Sequence, residues 1–228
     1  MQAEIISIGN ELLSGLTVNS NASFISQQLF EIGIRVGWVQ TVGDDAGAIR
    51  AALQTALDRS GVILLTGGLG PTHDDITKKV IADYFGSKMV MNPEILKEVE
   101  AKFARRGIPM PEINRLQAVV PDKAVLMANK VGTAPGMIFE QEGKFVFVMP
   151  GVPREMKWMM ENSVVPFLKE KFPKNRVQVN LFRTTGIPES TIFEKVEKEL
   201  SGFSGYEIAF LPKFTGVDIR VIRQGKDI

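Results

Sequence analysis

Three times before Gly86 an apolar run gives way to a polar, glycine-bearing loop and then to an amphipathic segment. Residues 4–8 are a short apolar run ending at Gly9, and residues 34–42 alternate like a strand up to Gly43-Asp44-Asp45. Val62-Ile63-Leu64-Leu65 is unbroken, as a parallel strand covered on both faces requires. The helices between carry their apolar residues on one face. The first has Phe24, Ile25, Leu29 and Ile32, with Asn21 as its cap and Gly33 as its stop; the second has Ile49, Ala52, Leu53, Ala56 and Leu57. The third has Ile76, Val80, Ile81, Tyr84 and Phe85, with Asp74 or Asp75 as its cap and Gly86 as its stop. Strand–loop–helix units in succession predict a parallel, doubly wound sheet, and right-handed crossovers bring the three loops to one edge.

Beyond Gly86 the pattern changes. Residues 87–91 fit an edge strand, and Asn92-Pro93 opens a helix with Ile95, Leu96, Val99 and Phe103. Asn114-Arg115-Leu116-Gln117-Ala118 either adds an amide and an arginine to a site or is a solvated turn. Residues 129–136 form a second glycine-rich loop, and residues 137–140 and 144–149 read as a hairpin turning at Glu142-Gly143. Pro153 then suits the first turn of a helix, and Pro166 and Pro173 mark its exit. A strand at 176–185, a helix at 188–200 and strands at 207–211 and 218–223 predict a small α+β domain over 167–228, after a first domain over 1–166.

Composition narrows the chemistry. At 228 residues, 44% hydrophobic and 23% charged, the chain suits a globular protein of one large core, or one core and a small partner. A net charge of +1 supplies no field to collect nucleic acid or an anionic membrane. Without cysteine there is neither a disulfide nor a thiolate nucleophile. One histidine, His73, leaves carboxylates as the metal ligands to expect, which suits Mg²⁺ or Mn²⁺. No apolar run reaches the ~18 residues of a membrane span, and Met1-Gln2-Ala3-Glu4 has no basic leader, so a cytoplasmic protein is expected.

The candidate chemistry lies in Gly67-Gly68-Leu69-Gly70-Pro71-Thr72-His73-Asp74-Asp75. Glycines let a ligand approach the main chain, and a helix start offers unpaired N–H groups to an anion. The loop has no Gly-Lys-Ser/Thr ending and no G-x-G-x-x-G, so it is neither a P-loop nor a dinucleotide fingerprint. A plain turn with two capping aspartates is the competing explanation. Against it stands convergence: Asn10 and Glu11, Asp44 and Asp45, and Asp74 and Asp75 all follow strands that end on the same edge.

Together with Ile6–Leu13, Thr41–Asp45, Gly132-Thr133-Ala134-Pro135-Gly136 and Pro150-Gly151-Val152-Pro153-Arg154-Glu155-Met156, this loop resembles the CinA (competence/damage-inducible) family. The resemblance covers residues 4 to about 166 and falls in that family's N-terminal domain, related to the molybdopterin-binding domains of MogA and MoaB. It implies a three-layer α/β/α sandwich with a mostly parallel sheet and a nucleotide pocket over the strand ends. It also implies hydrolysis of a nucleotide pyrophosphate such as ADP-ribose or FAD. Mg²⁺, Mn²⁺ or Co²⁺ is the expected cofactor, K⁺ a further candidate ion, and a homodimer the expected assembly. Residues 167–228 resemble the KH-like domain that follows in the family, but Gly186-Ile187-Pro188-Glu189 lacks the second glycine of the RNA-backbone clamp. No counterpart of the family's nicotinamide mononucleotide deamidase domain is recognised.

On this basis Asp44 and Asp75 are the expected catalytic metal carboxylates, with Asp74 as a further metal ligand and Glu11 in support. Gly67, Gly68, Gly70 and Thr72 are expected to bind phosphate, and Asn10, Asn19, Thr133, Gly136, Gly151 and Val152 to line the pocket for ribose and base. Glu155 is either a water-orienting base or a helix-start charge. Gly68→Val is expected to weaken nucleotide binding more than folding. Two alternatives stay open: a molybdopterin-binding or adenylating protein, and a non-catalytic competence or recombination partner.

Overall fold

The computed structural model describes residues 2–173, 177–200, 202 and 204–224, and they fall into two compact units. The first comprises Met1–Leu29 with Ile34–Leu168, and the second Phe30–Gly33 with Lys169–Ile228. Of the strand expected at 176–185, Arg176 lies outside the described residues.

In the first unit the predicted strand–helix alternation is present: β1 (Gln2–Ile8), α1 (Asn10–Leu13), α2 (Ser20–Glu31), β2 (Arg35–Val42), α3 (Ala46–Arg59), β3 (Val62–Thr66) and α4 (Thr77–Tyr84). Next come β4 (Met89–Met91), α5 (Pro93–Arg105), a 3₁₀ turn (Glu112–Ala118), β5 (Val119–Pro121) and β6 (Val125–Met127). The unit closes with β7 (Gly136–Gln141), β8 (Lys144–Met149), α6 (Pro153–Met159), a π-helical turn (Met160–Val164) and α7 (Val165–Lys171). Strands pair in the order β2-β1-β3-β8-β7-β6, and β7 alone runs against the others.

Alternation along the buried strands fills both faces of this sheet. Ile6, Leu65 and Val148 lie side by side in register and, with Ile8, Ile63 and Val146, join Ile49, Leu53 and Ala56 of α3 and Val80 and Ile81 of α4 in one core. On the opposite face Phe145 and Phe147 meet Phe167 of α7 edge to face at 5.2 and 5.5 Å. The result is a three-layer α/β sandwich. Burying the five residues of β3 outright contributes roughly 1.5–3 kcal/mol for each large apolar side chain.

Four expectations are revised. Residues 89–91 pair with β5 in a separate two-stranded ribbon rather than at an edge of the main sheet. Pro166 does not end its helix. The π turn before it widens the backbone spacing, and the helix runs on to Lys171. The cap of α2 is Asn19, whose Oδ1 accepts from Ala22 N at 3.1 Å, whereas Asn21 lies inside the helix. Neither Asp74 nor Asp75 caps α4, which starts at Thr77 without a side-chain cap. The hairpin is as expected: Glu142 and Gly143 both take positive φ, 53° and 74°, which matches a two-residue turn to the strand twist.

The second unit contains β9 (Val177–Thr184), α8 (Glu189–Leu200), β10 (Tyr206–Lys213) and β11 (Gly216–Gln224), with an antiparallel sheet in the order β10-β11-β9. Among the described residues no helix is long and apolar enough to cross a membrane.

Candidate functional site

The carboxyl ends of β1, β2, β3 and β8 open on one cleft of about 630 Å³. Because β7 runs the opposite way, it is the segment entering β7 that reaches this edge, and it contributes Thr133 and Ala134. Asn10, Glu11, Asp44, Gly67, Gly68, Gly70, Asp74, Asp75, Thr133, Gly151, Val152 and Glu155 all line the cleft, as the sequence led us to expect. Five of them are acidic, and the lining contains neither lysine nor arginine.

The glycines of these loops do two different jobs. Gly67 and Gly68 take φ of 118° and 64°, and a Cβ on Gly67 would meet Ile8 O at 2.1 Å, so the turn after β3 requires them. Gly70 and Gly132 have no such backbone and instead seat carboxylates. A Cβ on Gly70 would stand 2.3 Å from Asp75 Oδ2, and one on Gly132 2.0 Å from Glu155 Oε2. Gly43 does the same for Asn10 Oδ1, at 2.6 Å. Each polar group thus lies against a glycine, where a Cβ would displace it.

Hydrogen bonds hold these groups. Asp44 Oδ2 accepts from Asn10 N at 3.0 Å while Asn10 Oδ1 accepts from Asp44 N at 3.3 Å, locking the loops after β1 and β2. Glu155 Oε2 accepts from Asn129 Nδ2 at 2.6 Å. Asn129 is buried and fully used, also donating to Ala134 O and accepting from the N–H groups of Val131 and Gly132. Asp75 Oδ2 accepts from both N and Oγ1 of Thr72, which closes the loop on itself.

Three expected contributors lie elsewhere. Thr72 is spent on Asp75 and does not line the cleft. Gly136 is buried at the start of β7 against Met127 and Met159. Asn19 caps α2, donates to Ser7 Oγ at 2.8 Å, and lines an adjoining chamber instead. The N–H of Gly67 is also taken, by Met149 O at 3.1 Å, which leaves those of Gly68, Leu69 and Gly70 as the loop's available donors. Asp44, Asp74 and Asp75 share the cleft but are not gathered in advance: among the described residues no three His, Asp or Glu side chains cluster closely enough to hold a metal ion.

Two further residues support the cleft, one left ambiguous by the sequence and one not marked by it. Gln117, buried in the 3₁₀ turn, lines the cleft and has no partner for its Oε1; Arg115 beside it turns away to Glu112. Lys78 donates to Leu116 O at 2.7 Å and so anchors that turn to α4. Burial pushes its ammonium down to about 8, against the pull of Asp75. Gln117 lies in the segment read as either an amide for the site or a solvated turn; nothing in the helical pattern marked Lys78, which acts through a loop nearly forty residues distant in sequence.

Known proteins resemble this chain in sequence and fold. Residues 4–170 match the family model described as “Probable molybdopterin binding domain”. The chain belongs to this family. A CinA-like protein of Chloroherpeton thalassium is 48% identical over 233 residues, covering 100% of this chain and 55% of that protein. A CinA-like protein of Gemmatimonas aurantiaca is 41% identical over 225 residues, covering 97% of the chain and 53% of the relative. The chain therefore spans about half the length of these relatives. Among solved structures, CinA of Thermoplasma acidophilum, described as of unknown function, superposes with a TM-score of 0.65 at 34% identity, covering 75% of this chain and 96% of that one. MoaB of Thermus thermophilus superposes with a TM-score of 0.50 at 16% identity, covering 75% and 92%, which is a likeness of fold.

Proposed function

We propose that this domain hydrolyses a nucleotide pyrophosphate, such as ADP-ribose or FAD, to mononucleotides with the help of a divalent metal ion. The observation that carries the reading is the cleft's mixed lining: anion-type N–H donors at Gly68, Leu69 and Gly70 beside five carboxylates and no fixed cation. A pyrophosphate alone would be repelled by such a wall, and a cation entering with it removes the repulsion. The donors suit Mg²⁺, Mn²⁺ or Co²⁺. They are hard carboxylates, and Mg²⁺ in particular takes one or two of them and completes its shell with water and substrate phosphate, so no pre-gathered cage is required. Asp44 and Asp75, each fixed by its own loop bonds, are the residues to hold it, with Asp74 and Glu11 nearby.

A bound ion would neutralise charge on the phosphate oxygens and acidify water. The chain's own groups do the rest. Gly68, Leu69 and Gly70 orient the phosphates through N–H, and Glu155, aligned by Asn129 and seated on Gly132, orients the attacking water. The family match favours a second reading, in which the same cleft holds a molybdopterin-type ligand; the loop's Gly-Gly-Leu-Gly-Pro-Thr sequence is as in CinA rather than the pterin proteins' Gly-Gly-Thr-Gly.

The test is incubation of the protein with ADP-ribose, FAD and related dinucleotides in Mg²⁺, Mn²⁺ or Co²⁺, with and without K⁺, and chromatography of the products. Mononucleotide release that EDTA abolishes is the expected result. Retention of a pterin with no hydrolysis would support the second reading. Neither hydrolysis nor binding would leave a non-catalytic partner role.

A further inference from the structure

The loop that seats Glu155 has little main-chain support of its own. Residues 129–134 lie between β6 and β7, outside any helix or strand, and among the described residues they make no hydrogen bond from main chain to main chain. Side chains hold the loop instead. From within, Asn129 Oδ1 accepts from the N–H groups of Val131 and Gly132 at 3.2 and 2.7 Å. From outside, Lys102, in the last turn of α5, donates from its ammonium to Asn129 O and, at 2.7 Å, to Gly132 O. Resting on the pyrophosphatase reading above, we infer that Lys102 is the positioning residue for Glu155, holding the carboxylate in its water-orienting place through these two carbonyls.

The two carbonyls belong to the residues that fix Glu155. Asn129 donates to Oε2 at 2.6 Å, and Gly132 leaves room for the carboxylate where a Cβ would stand 2.0 Å from Oε2. One ammonium therefore sets both the donor and the seat. An ammonium has three donors and no acceptor, so it can bridge two carbonyls with charge-assisted bonds, which are stronger than neutral ones. Glu155 Oε1 has no hydrogen-bond partner among the described residues and is the atom left for water.

The placement also keeps this cation out of the cleft. Lys102 and Asn129 line a cavity of about 180 Å³ on the α5 side of the loop, which shares Thr133 with the cleft. A lysine inside the cleft would pair with Glu155 directly and compete with a divalent ion for the other carboxylates. Behind the loop it acts through neutral carbonyls. Its charge and that of Glu155 still interact: burial holds the Lys102 ammonium below the ordinary lysine range, against the pull of Glu98 and Glu155. Arg105, exposed on the same helix, bonds Ala101 O at 3.3 Å and does not reach the loop.

Turnover of ADP-ribose at saturating metal by the 228-residue chain tests the assignment in Lys102→Met, Lys102→Arg and Arg105→Met. Lys102→Met keeps the apolar stem and loses the donors. It should lower kcat about tenfold or more and change KM less than about twofold, since a displaced reacting group slows chemistry rather than binding. Lys102→Arg, which also brings charged donors to the carbonyls, should stay within about threefold of wild type, and Arg105→Met should match wild type. In a Glu155→Gln background Lys102→Met should lower kcat no more than about twofold further, because the function it supports is already gone. Wild-type kcat in Lys102→Met, an effect carried by KM, an equal loss in Lys102→Arg, or losses that multiply with Glu155→Gln each overturn the inference and leave the pyrophosphatase reading standing. Amide hydrogen exchange reads the loop without any substrate. Val131 and Gly132, whose N–H groups bond Asn129, should exchange at least about tenfold faster in Lys102→Met, with the amides of β3 unchanged. Unchanged exchange at both overturns the inference. Faster exchange in a protein that cleaves no dinucleotide rejects the pyrophosphatase reading and leaves Lys102 as the residue that holds the seat of Glu155.

Discussion

Gly68 and Thr77 pack so closely that a Cβ on the glycine would stand 2.1 Å from the threonine Oγ1. Thr77 is fully buried at the start of α4, and Gly68 holds a φ of 64°. Gly68→Val, expected to weaken nucleotide binding more than folding, also meets backbone strain and this collision, which act on folding directly. Gly68→Ala is expected to cost on the order of 2 kcal/mol in chemical denaturation. Because the two residues touch, Thr77→Ala should recover part of that loss, with a coupling of roughly 1 kcal/mol in a double-mutant cycle. Additive effects would show that the contact is not what makes glycine necessary.

Gly132 offers the cleaner probe of Glu155. Its φ is one that alanine tolerates, yet a Cβ there would displace the carboxylate and break its bond to Asn129. Gly132→Ala should cost little stability, about 1 kcal/mol or less. It should lower turnover of ADP-ribose as much as Glu155→Gln does, about 10²-fold for a group that orients or deprotonates water. The double variant should be no worse than either single one, since both remove the same function. Full turnover in Glu155→Gln would assign the residue to the helix start alone.

Asp75→Asn should lower hydrolysis by about 10²–10³-fold, as loss of a charge-stabilising group does. Combined with Asp44→Asn it should add little, because both carboxylates serve one ion. Multiplicative losses in steady-state rates at saturating metal would mean that the two do separate jobs.

Glu4 is fully buried on β1, where Arg59 meets it at 2.7 and 2.9 Å and stacks on Trp38 at 4.2 Å. Burial pushes the carboxyl up, but Arg59, Gln40 and Ser60 outweigh it and hold Glu4 below its ordinary value. A lowered carboxyl stabilises the fold above its unfolded value of 4.5, and that stability is lost as pH falls through the folded value. Arg59→Met should cost about 3 kcal/mol at pH 7, by leaving a buried charge unpaired. The gap to wild type should narrow as pH falls, because the unpaired Glu4 of the variant takes up a proton and wild type loses the ion pair's contribution below 4.5, which urea titrations from pH 3 to 7 would show. A pH-independent gap would rule out the ion pair as the cause.

Lys78 titrates in the opposite sense. With a folded value of about 8 against 10.5 unfolded, its charge opposes folding below pH 8, and the penalty fades between pH 8 and 10.5. In EDTA, wild type should gain stability over that interval while Lys78→Met does not. At pH 7 the variant should be the more stable, on the order of 2 kcal/mol after loss of the Leu116 bond. Parallel curves would refute this.

The architecture was readable because period and punctuation agree in the segments that build it. β3 is apolar throughout, the helices present single faces, and Glu142-Gly143 marks its own turn. The cleft was readable as a set of loops on one edge, though not in how its residues are used. Asn21 looked like a cap from local spacing, but its amide is drawn to Gly151 O, 130 residues away, and Asn19 takes the cap. Asp75 looked like a cap and instead ties down Thr72. Gly70 and Gly132 looked like flexible turns, and their role as seats depends on side chains that only the folded chain brings up. Gln117 was one amide in an ambiguous segment until Lys78 fixed the turn that carries it.

Gly67 and Gly151 lie so close that a Cβ on the second would sit 3.3 Å from the first one's Cα. This contact joins loops from neighbouring strands whose pairing spans more than eighty residues of chain. Closure of so long a loop is slow and rewarded only at the end, so β8 is expected to dock after the β1–β2–β3 units have formed locally. During synthesis the rim of the cleft is absent until residues 150–155 have emerged, and a partly made chain has no place to hold a ligand. The rim of the cleft is consequently expected to be a late product of folding, complete only when β8 closes against β3.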